Sequence, residues 1–239
     1  MPNSYYYGID WTYLVFVLPV MILSMIASAR VNRTFRRYST QLSSRRITGA
    51  QAAERVLLAN GVSGVRIERV SGNLTDHFDP KSNVIRLSDN VYGSTSTAAI
   101  GVACHEAGHA VQYAQNYKPI KLRAAIIPVT NIGSKLAMPL ILIGILLTSL
   151  SEFSTILIYL GIACFSLSLV FQLVTLPVEF NASRRAMTTI DSLNILTEDE
   201  QIGAKKTLKA AAMTYVMATL AALSQVLRLL VIFGRRRKN

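Results

Sequence analysis

The run His105-Glu106-Ala107-Gly108-His109 holds the residues of this chain best suited to chemistry. On a helix the two histidines stand four positions apart, so both imidazoles leave one face and can hold a single zinc ion, with Glu106 beside them. That is the arrangement for metal-assisted peptide hydrolysis. Zinc polarises the scissile carbonyl and lowers the pKa of a water to about 7. Glu106 is then the base that takes the water's proton and later passes it to the leaving amine. Five-residue patterns arise by chance, but two of the chain's 3 histidines fall here. The small Ala107 and Gly108 also permit close helix packing.

The motif needs a helix set against a sheet. Ser94-Thr95-Ser96-Thr97 supplies caps for a helix through Ala98–Cys104 to about Tyr113. Earlier, Thr48 caps a short amphipathic helix that places Ala52, Val56 and Ala59 on one face before Asn60-Gly61 stops it. Residues 65–70 alternate apolar with charged, and 83–88 do so less strictly, which predicts two strands joined through a turn at Phe78-Asp79-Pro80-Lys81-Ser82. No internal repeat or low-complexity linker is visible. The stretch before the next apolar run is short, roughly 100 residues, so it is expected to rest on membrane segments.

The chain has 239 residues, 51% hydrophobic and only 16% charged, more apolar surface than one water-soluble core of this size needs. Trp11 to Ala29 is free of charge and carries Trp11 and Tyr13 where an interfacial belt sits. No Lys or Arg precedes Arg30, which favours an uncleaved anchor over a signal peptide. Leu136–Ser151 and Phe153–Val178 are uncharged runs parted by Glu152, which predicts a helical hairpin with a turn over Ser151–Ser154. The apolar stretch 210–233 contains Gln225 and Arg228 and can span, lie in the interface or pack inside.

A net charge of +12 admits nucleic acid as a partner, but its placement argues against that. Arg30, Arg33, Arg36, Arg37, Arg45 and Arg46 follow directly on the first span, as expected of a cytoplasmic flank. The N-terminus is then outside, and the hairpin crosses out and back, returning near Pro177. Arg235–Lys238 would also prefer the cytoplasm, which leans towards a last helix that does not fully cross. Cys104 and Cys164 offer no disulfide framework and read as buried thiols.

A catalytic zinc takes three protein ligands and one open position. His77, in the turn Thr75–Pro80, can in principle reach the metal. Glu179 is the rival, because a carboxylate at the mouth of a span is costly without a partner.

Several segments together carry a resemblance: the anchor with its Arg-rich flank, Leu74-Thr75-Asp76-His77-Phe78-Asp79-Pro80, Val84-Ile85-Arg86-Leu87-Ser88, Cys104–Ala110, and Glu179-Phe180-Asn181-Ala182-Ser183-Arg184-Arg185-Ala186. Over nearly its whole length the chain resembles the YugP-like neutral zinc metallopeptidases, bacterial membrane proteins distantly similar to the HtpX and CAAX-processing proteases. Similar families take their third ligand from a Glu on the helix after the hairpin, which implies Glu179 over His77. They bind the substrate backbone along an edge strand, for which 83–88 is the candidate unless it is an inner strand. Two departures stand out. Ser183 replaces the Asp of the HtpX-like pattern, four residues after the ligand; it can still hydrogen-bond a ligand histidine, without the charge assistance that raises ligand basicity. Asn181 stands where Asp is commoner.

Arg184 and Arg185 can clamp a carboxylate or an oxyanion, but just inside a span they read as a topology anchor. Tyr113 and Tyr215 lie in apolar helices and read as packed residues.

The expectation is therefore an α+β, mainly α-helical membrane protein, with a minimal zincin-type core of the His105–His109 helix and a small sheet resting on three or four transmembrane helices. Its expected parts are helix 11–29, a zinc-peptidase region 30–135, a hairpin 136–178, a third-ligand segment 179–209 and an apolar helix 210–233. The expected site has His105, His109 and Glu179 on Zn2+, Glu106 as base, Ser183 behind the ligands and no organic cofactor. Partners are a polypeptide substrate and membrane lipid, with membrane-protein partners or a second copy compatible and nucleic acid excluded. The expected place is the bacterial plasma membrane, with the active site facing the cytoplasm. A noncatalytic zinc scaffold is the alternative, and Glu106 argues against it, since a structural site needs no base. A transporter is weaker still, because the spans show no paired polar residues or repeat halves.

Overall fold

The computed structural model describes residues 10–148 and 153–234. Ser151 and Glu152 of the expected turn, and the basic tail Arg235–Lys238, lie outside them. The described elements are a π-helical turn Tyr13–Val17 running into α1 (Leu18–Ser39), then α2 (Gly49–Ala59), β1 (Arg66–Val70), β2 (His77–Asp79), β3 (Val84–Ser88), α3 (Asp89–Tyr92), α4 (Thr97–Ala114), α5 (Lys118–Leu146), α6 (Phe153–Ser192) and α7 (Glu198–Gly234). The protein is mainly helical with one small sheet. Four of its helices, spanning Tyr13–Ser39, Lys118–Leu146, Phe153–Ser192 and Glu198–Gly234, are long and apolar enough to cross a membrane.

Two compact units divide the chain. One comprises 1–27, 122–175 and 214–239, the other 28–121 and 176–213. In the first, glycines bring α5 and α6 together: a Cβ on Gly144 would meet Ile158 and the Ser154 carbonyl, and one on Gly161 would meet the Ala137 carbonyl. Small residues allow backbones this close where no hydrophobic force drives helices together. Ile141, Ile158, Ile162, Leu229 and Phe233 form the buried cluster.

The second unit holds the sheet and a core running from Ile47 to Leu208. Helix α2 starts where expected: the Thr48 hydroxyl accepts from Gln51 N at 3.2 Å and the Gln51 side chain returns to Thr48 N at 3.0 Å. Gly61, at φ +66°, follows its end. Its buried face is Ala52, Ala53, Val56 and Leu57, whereas Ala59 is exposed. The sheet order is β1-β3-β2, with β1 and β3 parallel and β2 antiparallel to β3.

The expectation of a turn over 78–82 needs correction. His77–Asp79 is a third strand, and the turn runs over 80–83, where Asp79 accepts from Lys81 N and the Ser82 hydroxyl. The strand at 84–88 is therefore inner, which explains its weak alternation: four of its five residues are buried.

The helices run past the apolar stretches that announced them. Helix α5 begins at Lys118, eighteen residues before the expected start, and α6 continues through Pro177 to Ser192, so Glu179 lies inside the hairpin's second helix. A proline ring removes one hydrogen bond without having to end a helix held by packing. Cys104 is buried as expected, but Cys164 is only half-buried.

Candidate metal centre

Helix α4 is set by its Ser96 cap, whose hydroxyl accepts from Ala99 N at 3.3 Å, and by burial of Ala99, Ile100, Ala103, Ala107 and Val111 against the core. One stripe remains for chemistry: His105, Gly108, His109 and Gln112, at the spacing of a single helical face. It faces Val178, Glu179, Ala182 and Ser183 of α6. The pairings 105–183, 108–182 and 112–178 show the two segments crossing antiparallel. Contact is close because Gly108 has no side chain: a Cβ there would stand 2.7 Å from the Ala182 carbonyl oxygen.

At this crossing Glu179 Oε2 lies 3.3 Å from His105 Nε2 and 3.5 Å from His109 Nε2. Among the described residues, these three form the group whose ligand atoms converge, all within 4.8 Å of one another. Glu179 is 2% exposed. Both Nδ1 atoms point away to partners: Ser183 Oγ stands 3.1 Å from that of His105, and Gln112 Oε1 stands 3.0 Å from that of His109. Each ring thus turns its Nε2 towards the carboxylate. Two imidazole nitrogens and one carboxylate oxygen fit zinc and leave a fourth position open.

Burial disfavours the charged form of His109, but the Glu179 carboxylate, with Glu106 and Gln112 adding to it, outweighs this and raises its pKa. Glu106 follows His105 on the helix, is 9% exposed, and acts electrostatically on both His109 and Asp76. Asp76 is pushed up from the usual carboxylate range by burial first, with Glu106 adding to the shift and hydrogen bonds from the Ser88 amide and hydroxyl opposing it. Burial also drives the Cys104 thiol up, leaving it an inert core residue.

His77 does not join the group. It is exposed, its Nδ1 lies 2.8 Å from the Thr75 carbonyl and its Nε2 faces Arg86. Arg184 is exposed, whereas Arg185 donates to Asn181 Oδ1 at 2.7 Å and to Gln115 Oε1 at 2.6 Å and stacks over Tyr117. Asn181 accepts from the Gln112 amide as well. The half-buried Tyr113 packs against Phe78, ring centroids 5.6 Å apart. Sequence reasoning missed Gln112 and Asp76. Gln112 had a signal, since it lies three residues after His109 on the same face.

A family model described as "Putative neutral zinc metallopeptidase" matches residues 13–234. The chain belongs to this family. It is 45% identical over 221 residues to the "Putative membrane protease YugP" of Bacillus subtilis (strain 168), covering 92% of this chain and 96% of that protein. No solved structure matches. Zinc is the cofactor of this zinc-metallopeptidase family, and the His-His-Glu group can bind such an ion. With its four apolar helices, the chain is a membrane protein.

Proposed function

We propose that this protein is a zinc-dependent endopeptidase that cuts membrane or membrane-proximal polypeptides from the cytoplasmic side. The observation that carries this reading is the convergence of His105 Nε2, His109 Nε2 and Glu179 Oε2 on one point beside the buried Glu106. His105, His109 and Glu179 hold the metal. Bound zinc would supply Lewis acidity towards a peptide carbonyl and a water made acidic enough to attack at neutral pH. Glu106 takes the proton from the attacking water on its carboxylate and delivers it to the leaving amine nitrogen. Ser183 stands behind the ligands, in hydrogen-bond contact with His105 Nδ1. With β3 inside the sheet, β2 is the edge strand that packs nearest α4, and we assign the docking of substrate backbone to it.

The side of action rests on the first unit and on charge. The Ser224 hydroxyl donates to the Phe16 carbonyl and Arg228 pairs with Asp10, so α7 runs antiparallel to α1. On that support we read α7 as a fourth full span. The opposite ends of the spans carry Arg30, Arg33, Arg36 and Arg37 in the C-terminal half of α1, Lys118 and Lys121 at the start of α5, and Arg184 and Arg185 on α6. This excess marks the cytoplasmic side and outweighs the basic C-terminal tail.

The test is Glu106→Gln in the purified, zinc-loaded protein. Peptide hydrolysis should vanish while bound zinc stays; an unchanged rate sinks the assignment.

A further inference from the structure

Gln112 is fully buried in α4, where a polar side chain must satisfy every hydrogen-bonding group it carries. Its amide nitrogen lies 2.8 Å from the Val178 carbonyl oxygen and 2.9 Å from Asn181 Oδ1. A backbone carbonyl can only accept, so the NH2 end must face α6 and the oxygen end must face His109. The Asn181 end is fixed in the same way, because Arg185 donates to Oδ1 and a guanidinium cannot accept. With Gln112 Oε1 3.0 Å from His109 Nδ1, the proton of neutral His109 sits on Nδ1 and the lone pair on Nε2, the atom facing Glu179. Ser183 gives His105 no such definition, since a hydroxyl rotates to donate or accept.

We propose that Gln112 is a positioning residue of the metal centre, whose single amide sets the metal-binding tautomer of His109 and ties that imidazole to the turn of α6 that carries Glu179. The inference rests on reading His105, His109 and Glu179 as zinc ligands. The clamp spans the two helices on which the ligands stand: Val178 immediately precedes Glu179, and Asn181 lies two residues after it.

Two substitutions separate orientation from packing. Gln112→Met keeps the volume and removes both hydrogen-bonding functions. Gln112→Glu keeps an acceptor for His109 Nδ1–H and removes the donor to Val178. Zinc affinity, read by competition with a chelator, should fall about 10–100-fold in Gln112→Met and stay within about threefold of wild type in Gln112→Glu. Thermal stability of the zinc-free protein should fall in both. Equal affinity losses in the two variants, or none in Gln112→Met, overturn the proposal. Should Gln112→Met not fold, Gln112→Glu decides alone: a tenfold or greater loss of affinity overturns it. If wild type takes up no zinc that His109→Ala abolishes, the ligand reading fails and this inference falls with it.

Discussion

Replacing Gly108 by alanine tests whether the closeness of α4 and α6 builds the metal centre. The added Cβ would stand 2.7 Å from the Ala182 carbonyl oxygen, 3.3 Å from its carbonyl carbon and 3.4 Å from its Cα. All three are backbone atoms that no rotamer change can move. Restoring an ordinary contact of about 3.4 Å to that oxygen requires the helices to part by roughly 0.7 Å. Ala182 lies three residues after Glu179, on the same stretch of α6, so the carboxylate moves with it. Zinc ligation tolerates about 0.2 Å, and a functional constellation about 0.5 Å. The opening therefore exceeds what the site can absorb. We expect zinc affinity to fall at least about tenfold by chelator competition, comparable to the loss of a supporting contact. The stability change is a balance between overpacking, about 1–3 kcal/mol, and the roughly 1 kcal/mol by which alanine favours a helix over glycine. The zinc-free protein should be destabilised by no more than about 2 kcal/mol. Wild-type zinc affinity in a folded Gly108→Ala protein would refute the reasoning.

Other expectations follow from the same geometry. Ser183→Asp would give His105 Nδ1 a charged acceptor in place of a hydroxyl, so zinc affinity by the same competition should rise, whereas Ser183→Ala should lower it by less than the loss of a ligand does. Asp76, raised above its ordinary value of 3.8, makes ionisation unfavourable to the fold: its stabilising contribution is complete below that value and is lost as pH rises through the raised one. Melting of the zinc-free protein in detergent should thus decline over that window in wild type, and Asp76→Asn should flatten the decline.

Much of this was legible in the sequence where a local rule and the tertiary context agreed. Thr48 and Gln51 make a capping box, Asn60-Gly61 ends the helix, and His105 and His109 share a helical face by spacing alone. Glu179 needed the resemblance, because 70 residues separate it from His109 and spacing says nothing across a hairpin. Strand β2 was invisible: its three residues include His77 and Asp79, poor strand formers beside a proline, and they pair only because β3 supplies a partner. The first half of α5 hid behind Lys118, Lys121, Arg123 and Pro128, which break the apolar run without breaking the helix. Spacing puts Gln112 on the helical face of His109, but only its burial against Val178 and Asn181 makes it a clamp.

X-ray absorption at the zinc edge, on the purified protein in detergent, reads the atoms bound to the metal. The spectrum should show one zinc per chain with two nitrogens at about 2.0–2.1 Å, oxygen at about 2.0–2.2 Å and no sulfur, and that signal should be lost in Glu179→Ala. A sulfur shell near 2.3 Å, or an undiminished signal in Glu179→Ala, would contradict it.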